Sequence, residues 1–132
     1  MSEHDTQVAF FYAVRFMEGR HPELKWFHAI PNGGQRNKAV AAKLKAEGVQ
    51  RGIPDSFLPY PANGKHGLYI EFKNGTNKLT TEQKEFLETA EQNGYAVGVA
   101  YTADEALKIL EDYLGNLDFE YKDGRIIAID WR

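Results

Sequence analysis

The run Leu68-Tyr69-Ile70-Glu71-Phe72-Lys73 alternates with a period of two, which is the signature of a β-strand. Leu68, Ile70 and Phe72 share one face, while Tyr69, Glu71 and Lys73 share the other. The first face must be covered by an apolar layer. The second carries a carboxylate and an ammonium into a sheet, where an unpaired charge is costly. The fold must therefore supply a hydrophobic cover on one side of this strand and a partner for two charges on the other.

The flanking sequence supplies the cover. Ser2 with Asp5 opens a helix that carries Val8, Phe10, Phe11, Val14 and Met17 at helical spacing up to Gly19. Trp26 to Ile30 reads as a short aromatic strand, ended by Pro31-Asn32-Gly33-Gly34. A second helix is predicted over Arg36 to Glu47, with lysines on its outer face and Gly48 closing it. A strand follows from Gly52-Ile53-Pro54-Asp55 through Leu58, and Pro59 to Gly67 is a turn region before the alternating strand. Thr80 with Gln83 and Thr102 with Glu105 are capping boxes for two more helices, separated by a buried-type strand over Tyr95 to Tyr101. Asp123-Gly124 between two β-rich runs predicts a terminal hairpin. The expected class is α/β, with helices flanking a mixed central sheet.

The chain has 132 residues, 42% of them hydrophobic, and no cysteine. That length buries a core without staples, so one domain is expected. Without cysteine there is no disulfide framework, thiolate zinc site, iron–sulfur cluster or cysteine nucleophile, and any metal must be held by oxygen or histidine. Met1-Ser2-Glu3-His4-Asp5 lacks the basic flank and apolar run of a signal peptide, so a cytoplasmic protein with no membrane partner is expected.

The formal net charge of −3 argues at first against a polyanionic partner. Its distribution argues otherwise. Residues 1–30 sum to −1 and residues 85–132 to −7, but residues 31–84 carry nine basic residues against four acidic ones. Affinity for a polyanion follows a local basic patch more than the total. A solvated helix face is the plain alternative.

Asp55, directly after Pro54 at a strand start, and Glu71, inside an apolar strand, stand where a core strand prefers apolar residues. Lys73 shares the face of Glu71. Two carboxylates with a nearby ammonium suit a hard divalent cation and phosphoryl chemistry. On spacing alone, an ion-paired cluster without catalysis is the commoner outcome. His28 reads as a structural strand residue, and His4, His21 and His66 lack metal-ligand spacing. Trp26 and Tyr69 read as packing aromatics.

Pro54-Asp55 and, sixteen positions after Asp55, Glu71-Phe72-Lys73 resemble the PD-(D/E)XK nuclease signature. The wider text is more specific: Pro31-Asn32-Gly33-Gly34-x-Arg36, Lys43-Leu44-Lys45-x-x-Gly48, Gly52-Ile53-Pro54-Asp55 and Leu79-Thr80-x-Glu82-Gln83-Lys84. In this order the motifs resemble the virus-type replication-repair nuclease (VRR-NUC) domain of phage and bacterial stand-alone proteins, from about residue 3 to about residue 114. The resemblance implies a restriction-endonuclease-like core over residues 1–115, with residues 116–132 as a hairpin extension. It implies a Mg²⁺- or Mn²⁺-dependent endodeoxyribonuclease, in the host cytoplasm if phage-encoded, that needs no nucleotide cofactor.

Position by position, the resemblance makes Asp55 and Glu71 metal ligands, with the Phe72 carbonyl as a further one, and assigns Lys73 to the attacking water. Glu3 matches an acidic residue near the metal, although a dipole-favoured first-turn carboxylate explains it as well. Gln83 matches a glutamine that positions the lysine or the water. It is also the reciprocal partner in the Thr80 capping box, and one side chain is not expected to fill both roles. Asn32, Gly33, Gly34 and Arg36 suggest a phosphate-contacting loop at a helix start, with Lys38, Lys43, Lys45 and Arg51 extending the DNA-binding block. The resemblance further implies a homodimer acting on branched DNA, in the manner of a Holliday-junction resolvase in DNA repair. A non-catalytic nucleic-acid-binding module and a sequence-specific restriction-type nuclease stay open. The hairpin is expected to cover a sheet edge or make a dimer contact.

Overall fold

The computed structural model describes residues 1–31, 37–115, 117, 119–122 and 125–129. Asn32, Gly33, Gly34 and Arg36, and the Asp123-Gly124 turn, lie outside the described residues. The elements are α1 (Glu3–Met17), β1 (His28–Ala29), α2 (Lys38–Ala46), β2 (Ser56–Leu58), β3 (Leu68–Phe72), α3 (Thr81–Gln92), β4 (Ala96–Ala100), α4 (Ala103–Leu114), β5 (Phe119–Lys122) and β6 (Arg125–Ile129). The class is α/β, as the sequence predicts.

Four strands form one mixed sheet in the order β1-β2-β3-β4. The pairs β1/β2 and β2/β3 are antiparallel, whereas β3/β4 is parallel. A parallel pair needs a crossover, and α3 provides it. Leu68, Ile70 and Phe72 are at most 1% exposed and join Phe10, Val14 and Met17 of α1 and Leu107 and Leu110 of α4 in one core. The Phe10 ring lies 5.4 Å from Phe27 and 5.5 Å from Phe72. Each such side chain, fully buried, contributes about 1.5–3 kcal/mol. The opposite face bears Phe57 stacked on Tyr69 at 4.4 Å, with Phe86 of α3 edge-on to Tyr69 at 5.0 Å. Helices α1 and α4 therefore cover one face of β3 and α3 covers the other.

Several local expectations change. The aromatic strand is only His28–Ala29, because Pro22 opens a 3-10 turn over Pro22–Trp26. The Arg15 guanidinium donates to the carbonyls of Leu24, Lys25 and Phe27 at 3.0, 3.3 and 2.6 Å, taking acceptors that a strand ladder would use. Trp26 is 64% exposed rather than packed, with the Lys25 ammonium 5.2 Å from its ring centroid. Thr102 caps α4 through the Glu105 N–H, but the Glu105 carboxylate accepts from Tyr101 N–H at 2.7 Å, so the predicted box is displaced by one residue.

No residue of α2 is buried, and the helix makes no extended packing contact with the other described elements. Asn37 caps it, accepting from Val40 N–H at 2.8 Å. The predicted hairpin forms as β5/β6 and is a separate two-stranded sheet, so it does not extend the edge of the four-stranded one. No helix among the described residues is long and apolar enough to cross a membrane.

Candidate active site

The β2/β3 ladder ends at the pair Ser56–Ile70, and continuing its register by one residue sets Asp55 opposite Glu71. Pro54 precedes Asp55 and has no N–H with which to prolong the ladder. The next N–H groups find carboxylates instead of carbonyls. Phe72 N–H donates to Asp55 Oδ2 at 2.8 Å, and Asp55 N–H donates to Glu71 Oε1 at 3.2 Å. The Asp55 carbonyl is held from the other side by Ile30 N–H at 2.7 Å. Both carboxylates are thus fixed by backbone at the open end of the sheet.

Lys73 follows two residues after Glu71 on the same face, and its Nζ lies 3.6 Å from Glu71 Oε2. Glu71 is only 3% exposed and Lys73 only 7%, so neither charge is dissipated by bulk water. Burial, then the Asp55 charge, pushes the Glu71 carboxyl up to about 8. Burial also raises Asp55, which the Phe72 N–H and the Glu71 hydrogen bond pull back down. At neutral pH Glu71 therefore keeps its proton.

Gln83 caps α3 and also reaches the carboxylate cluster. Its Oε1 accepts from Thr80 N–H at 2.9 Å, and its Nε2 donates to Glu71 Oε2 at 2.9 Å. The cap does not use up the side chain, because the two ends of an amide carry opposite functions. The carbonyl end caps α3 while the amino end reaches the strand.

Glu3, at the start of α1, accepts from Asn77 Nδ2 at 3.3 Å, and its charge adds to the raising of Asp55. The structure therefore brings together Asp55, Glu71, Lys73, Gln83 and Glu3, with Phe72 between two of them. Lys38, Lys43 and Lys45 are exposed on α2, and Arg51 is exposed just beyond it. They lie outside the buried cluster. Asn77 went unread because Asn74-Gly75-Thr76-Asn77 signals only the end of a strand. Its contact with Glu3 spans 74 positions and leaves no local pattern.

The family model for the VRR-NUC domain matches residues 9–104. The chain belongs to the VRR-NUC family. A solved structure described as a VRR_NUC domain protein is 27% identical, with a TM-score of 0.69 over 86% of this chain and 88% of that one. Comparison with curated proteins finds no match. The matched VRR-NUC segment contains Asp55, Glu71, Phe72, Lys73 and Gln83, whereas Glu3 precedes it. The fold accords with a PD-(D/E)XK-like core, and the VRR-NUC domain is of nuclease type.

Among the described residues no three His, Asp or Glu side chains are gathered as a ready cation cage. Asp55 and Glu71 supply two carboxylates, and the remaining positions around a hard cation would fall to main-chain oxygen and water. The donors are all oxygen, which suits Mg²⁺ or Mn²⁺ over softer metals. The proton on Glu71, held by burial, the Asp55 charge and a hydrogen bond with Asp55, would be released on binding a divalent ion.

Proposed function

We propose that this VRR-NUC domain hydrolyses DNA phosphodiester bonds with a divalent cation, Mg²⁺ or Mn²⁺, held by Asp55, Glu71 and the Phe72 carbonyl. The observation that carries the proposal is the placement of Lys73 Nζ 3.6 Å from the buried Glu71, which forms a backbone-fixed pair with the half-buried Asp55. A structural ion pair would be better served by one carboxylate and one lysine, since the second carboxylate only adds repulsion.

When bound, the cation supplies Lewis acidity toward a phosphate oxygen and makes a water more acidic. Lys73 donates from its ammonium to the attacking water and to the oxygen that gains charge as the new P–O bond forms. Gln83 keeps Glu71 Oε2 turned toward the cluster. The bond to the 3′ oxygen breaks as the attacking water gives up a proton to solvent, leaving a 5′-phosphate, and the 3′ oxygen takes a proton from solvent to become a 3′-hydroxyl. Asp55 and Glu71 contribute position and charge, because their backbone hydrogen bonds leave them little rotational freedom.

The exposed lysines of α2 and Arg51 form the phosphate-contacting surface in this reading. Among the described residues no separate sequence-reading module is formed, which favours recognition of DNA shape over sequence. We extend the proposal to a branched substrate such as a four-way junction and to a homodimer, since resolution of a junction requires two cuts. The decisive assay presents four-way junction, flap, single-stranded and duplex DNA with Mg²⁺, Mn²⁺ or EDTA. Cleavage that needs the cation and is fastest on the junction supports the reading. No cleavage of any substrate, or equal cleavage in EDTA, rejects it. A solution mass near the 15.0 kDa of one chain rejects the dimer alone.

A further inference from the structure

Gly52 stands three residues before Asp55 with φ +86, and a Cβ built there would lie 2.7 Å from the backbone C and O of Glu82 and 2.9 Å from its Cβ. No L side chain fits that gap without moving backbone, and the positive φ would strain one in any case. Glu82 sits in the first turn of α3, beside Gln83. That turn therefore touches the candidate site twice. It meets the lead-in to Asp55 at Gly52, and it reaches Glu71 Oε2 through Gln83 Nε2 at 2.9 Å. The turn is itself closed by reciprocal bonds, Thr80 N–H to Gln83 Oε1 at 2.9 Å and Gln83 N–H to Thr80 Oγ1 at 3.1 Å.

Backbone pairing between β2 and β3 ends at Ser56–Ile70, one step short of the carboxylates. Beyond that point, what sets the separation of the two strands is side-chain hydrogen bonding and whatever presses on them from outside. We propose that the first turn of α3 is a clamp that sets the spacing of Asp55 and Glu71, and that Gly52 is the positioning residue that lets the clamp close. The inference rests on the reading of this pair as cation ligands. Gly52 touches neither cation nor DNA. It acts by leaving room for Glu82, so that Gln83 arrives at Glu71 while its other end still caps the helix. Cation binding and the first turn of α3 are then one mechanical unit.

The test compares Gly52→Ala with Gly64→Ala, whose glycine has φ +74 but open space around it and so carries backbone strain without a contact. In Gly52→Ala, calorimetric affinity for Mn²⁺ is expected to fall about tenfold or more, as when an outer partner of a metal ligand is lost. The kcat on DNA should fall with it while KM stays within about twofold, since binding of DNA is not what the clamp controls. Gly64→Ala should keep wild-type Mn²⁺ affinity while losing some Tm to backbone strain alone. Wild-type affinity in Gly52→Ala, or an equal loss in Gly64→Ala, overturns the proposal.

Hydrogen exchange on the wild-type protein decides the matter even if Gly52→Ala does not fold. Mn²⁺ should slow exchange at the Thr80 and Gln83 amides together with those of Asp55 and Phe72. Protection of the strand amides with none in α3 overturns the clamp and leaves the cation site standing. Absence of any Mn²⁺ binding by the wild type defeats the cation reading, and the clamp with it.

Discussion

Asp55 and Glu71 hold each other across the open end of the sheet: Asp55 N–H donates to Glu71 Oε1 at 3.2 Å, and the N–H of Phe72, next to Glu71, donates to Asp55 Oδ2 at 2.8 Å. Each carboxylate is thereby anchored by the other's strand. This exchange sets two carboxyl groups side by side, Glu71 buried and Asp55 half-buried, where ionising both is unfavourable for stability and useful for holding a cation.

The metal-free protein should lose stability as pH rises. Glu71 is raised from an ordinary 4.5 to about 8, so between those values the folded state holds a proton that the unfolded state has released. Stability is then greatest below the ordinary value and falls as pH rises through about 8, at up to about 1.4 kcal/mol per pH unit for one proton. Asp55, also raised, acts in the same direction. Thermal melts in EDTA from pH 5 to pH 9 should show a falling Tm, less steep in Glu71→Gln. A Tm that climbs with pH would contradict the raised carboxyl.

Adding Mn²⁺ should reverse part of that loss, and more so at pH 8 than at pH 6. The cation competes with the proton on Glu71, so less work is needed to displace it at higher pH. The Tm increment on saturation with Mn²⁺, measured at the two pH values, checks this. An increment that is larger at pH 6 would place the binding elsewhere.

Substitutions at Gln83 should separate its two roles. Gln83→Glu keeps an oxygen for Thr80 N–H but turns a carboxylate toward Glu71, so α3 stays capped while cleavage falls sharply. Gln83→Ala loses both contacts, at a cost of about 1 kcal/mol in stability for the cap. Urea unfolding and cleavage rates on the same samples distinguish the two. Equal activity in Gln83→Glu and wild type would remove Gln83 from the site.

Lys43→Ala and Lys45→Ala should leave the fold intact, because nothing in α2 is buried. Surface changes of this kind stay within about 0.5 kcal/mol. DNA affinity should fall, and the slope of log affinity against log salt should drop by about one for each lysine that contacts phosphate. Unchanged binding and slope would move the DNA surface away from α2.

What was legible in the sequence was local. Leu68 to Phe72 announced a strand by its alternation, and Ser2 with Asp5 and Thr80 with Gln83 announced helix starts by spacings that the backbone geometry enforces. Glu71 and Asp55 stood out because each interrupts an apolar pattern. What was hidden was non-local. The lysines of α2 mark its outer face in the sequence, yet Val40 is 42% exposed as well, because composition does not say which surface a stripe will meet. Trp26 lost its strand to Arg15, nine to twelve positions before the carbonyls that it takes. The approach of Gly52 to Glu82 and the bond from Gln83 to Glu71 join separate elements, and only the folded chain brings them together.

The most direct measurement is single-turnover cleavage of a labelled four-way junction by wild type and by Lys73→Ala, each shown to be folded, in Mn²⁺ and in EDTA. Wild type should cut in Mn²⁺ and not in EDTA, and Lys73→Ala should be slower by about 100-fold or more in Mn²⁺. Equal rates for the two proteins, or cleavage by wild type that survives EDTA, would contradict a cation-dependent nuclease site built on Asp55, Glu71 and Lys73.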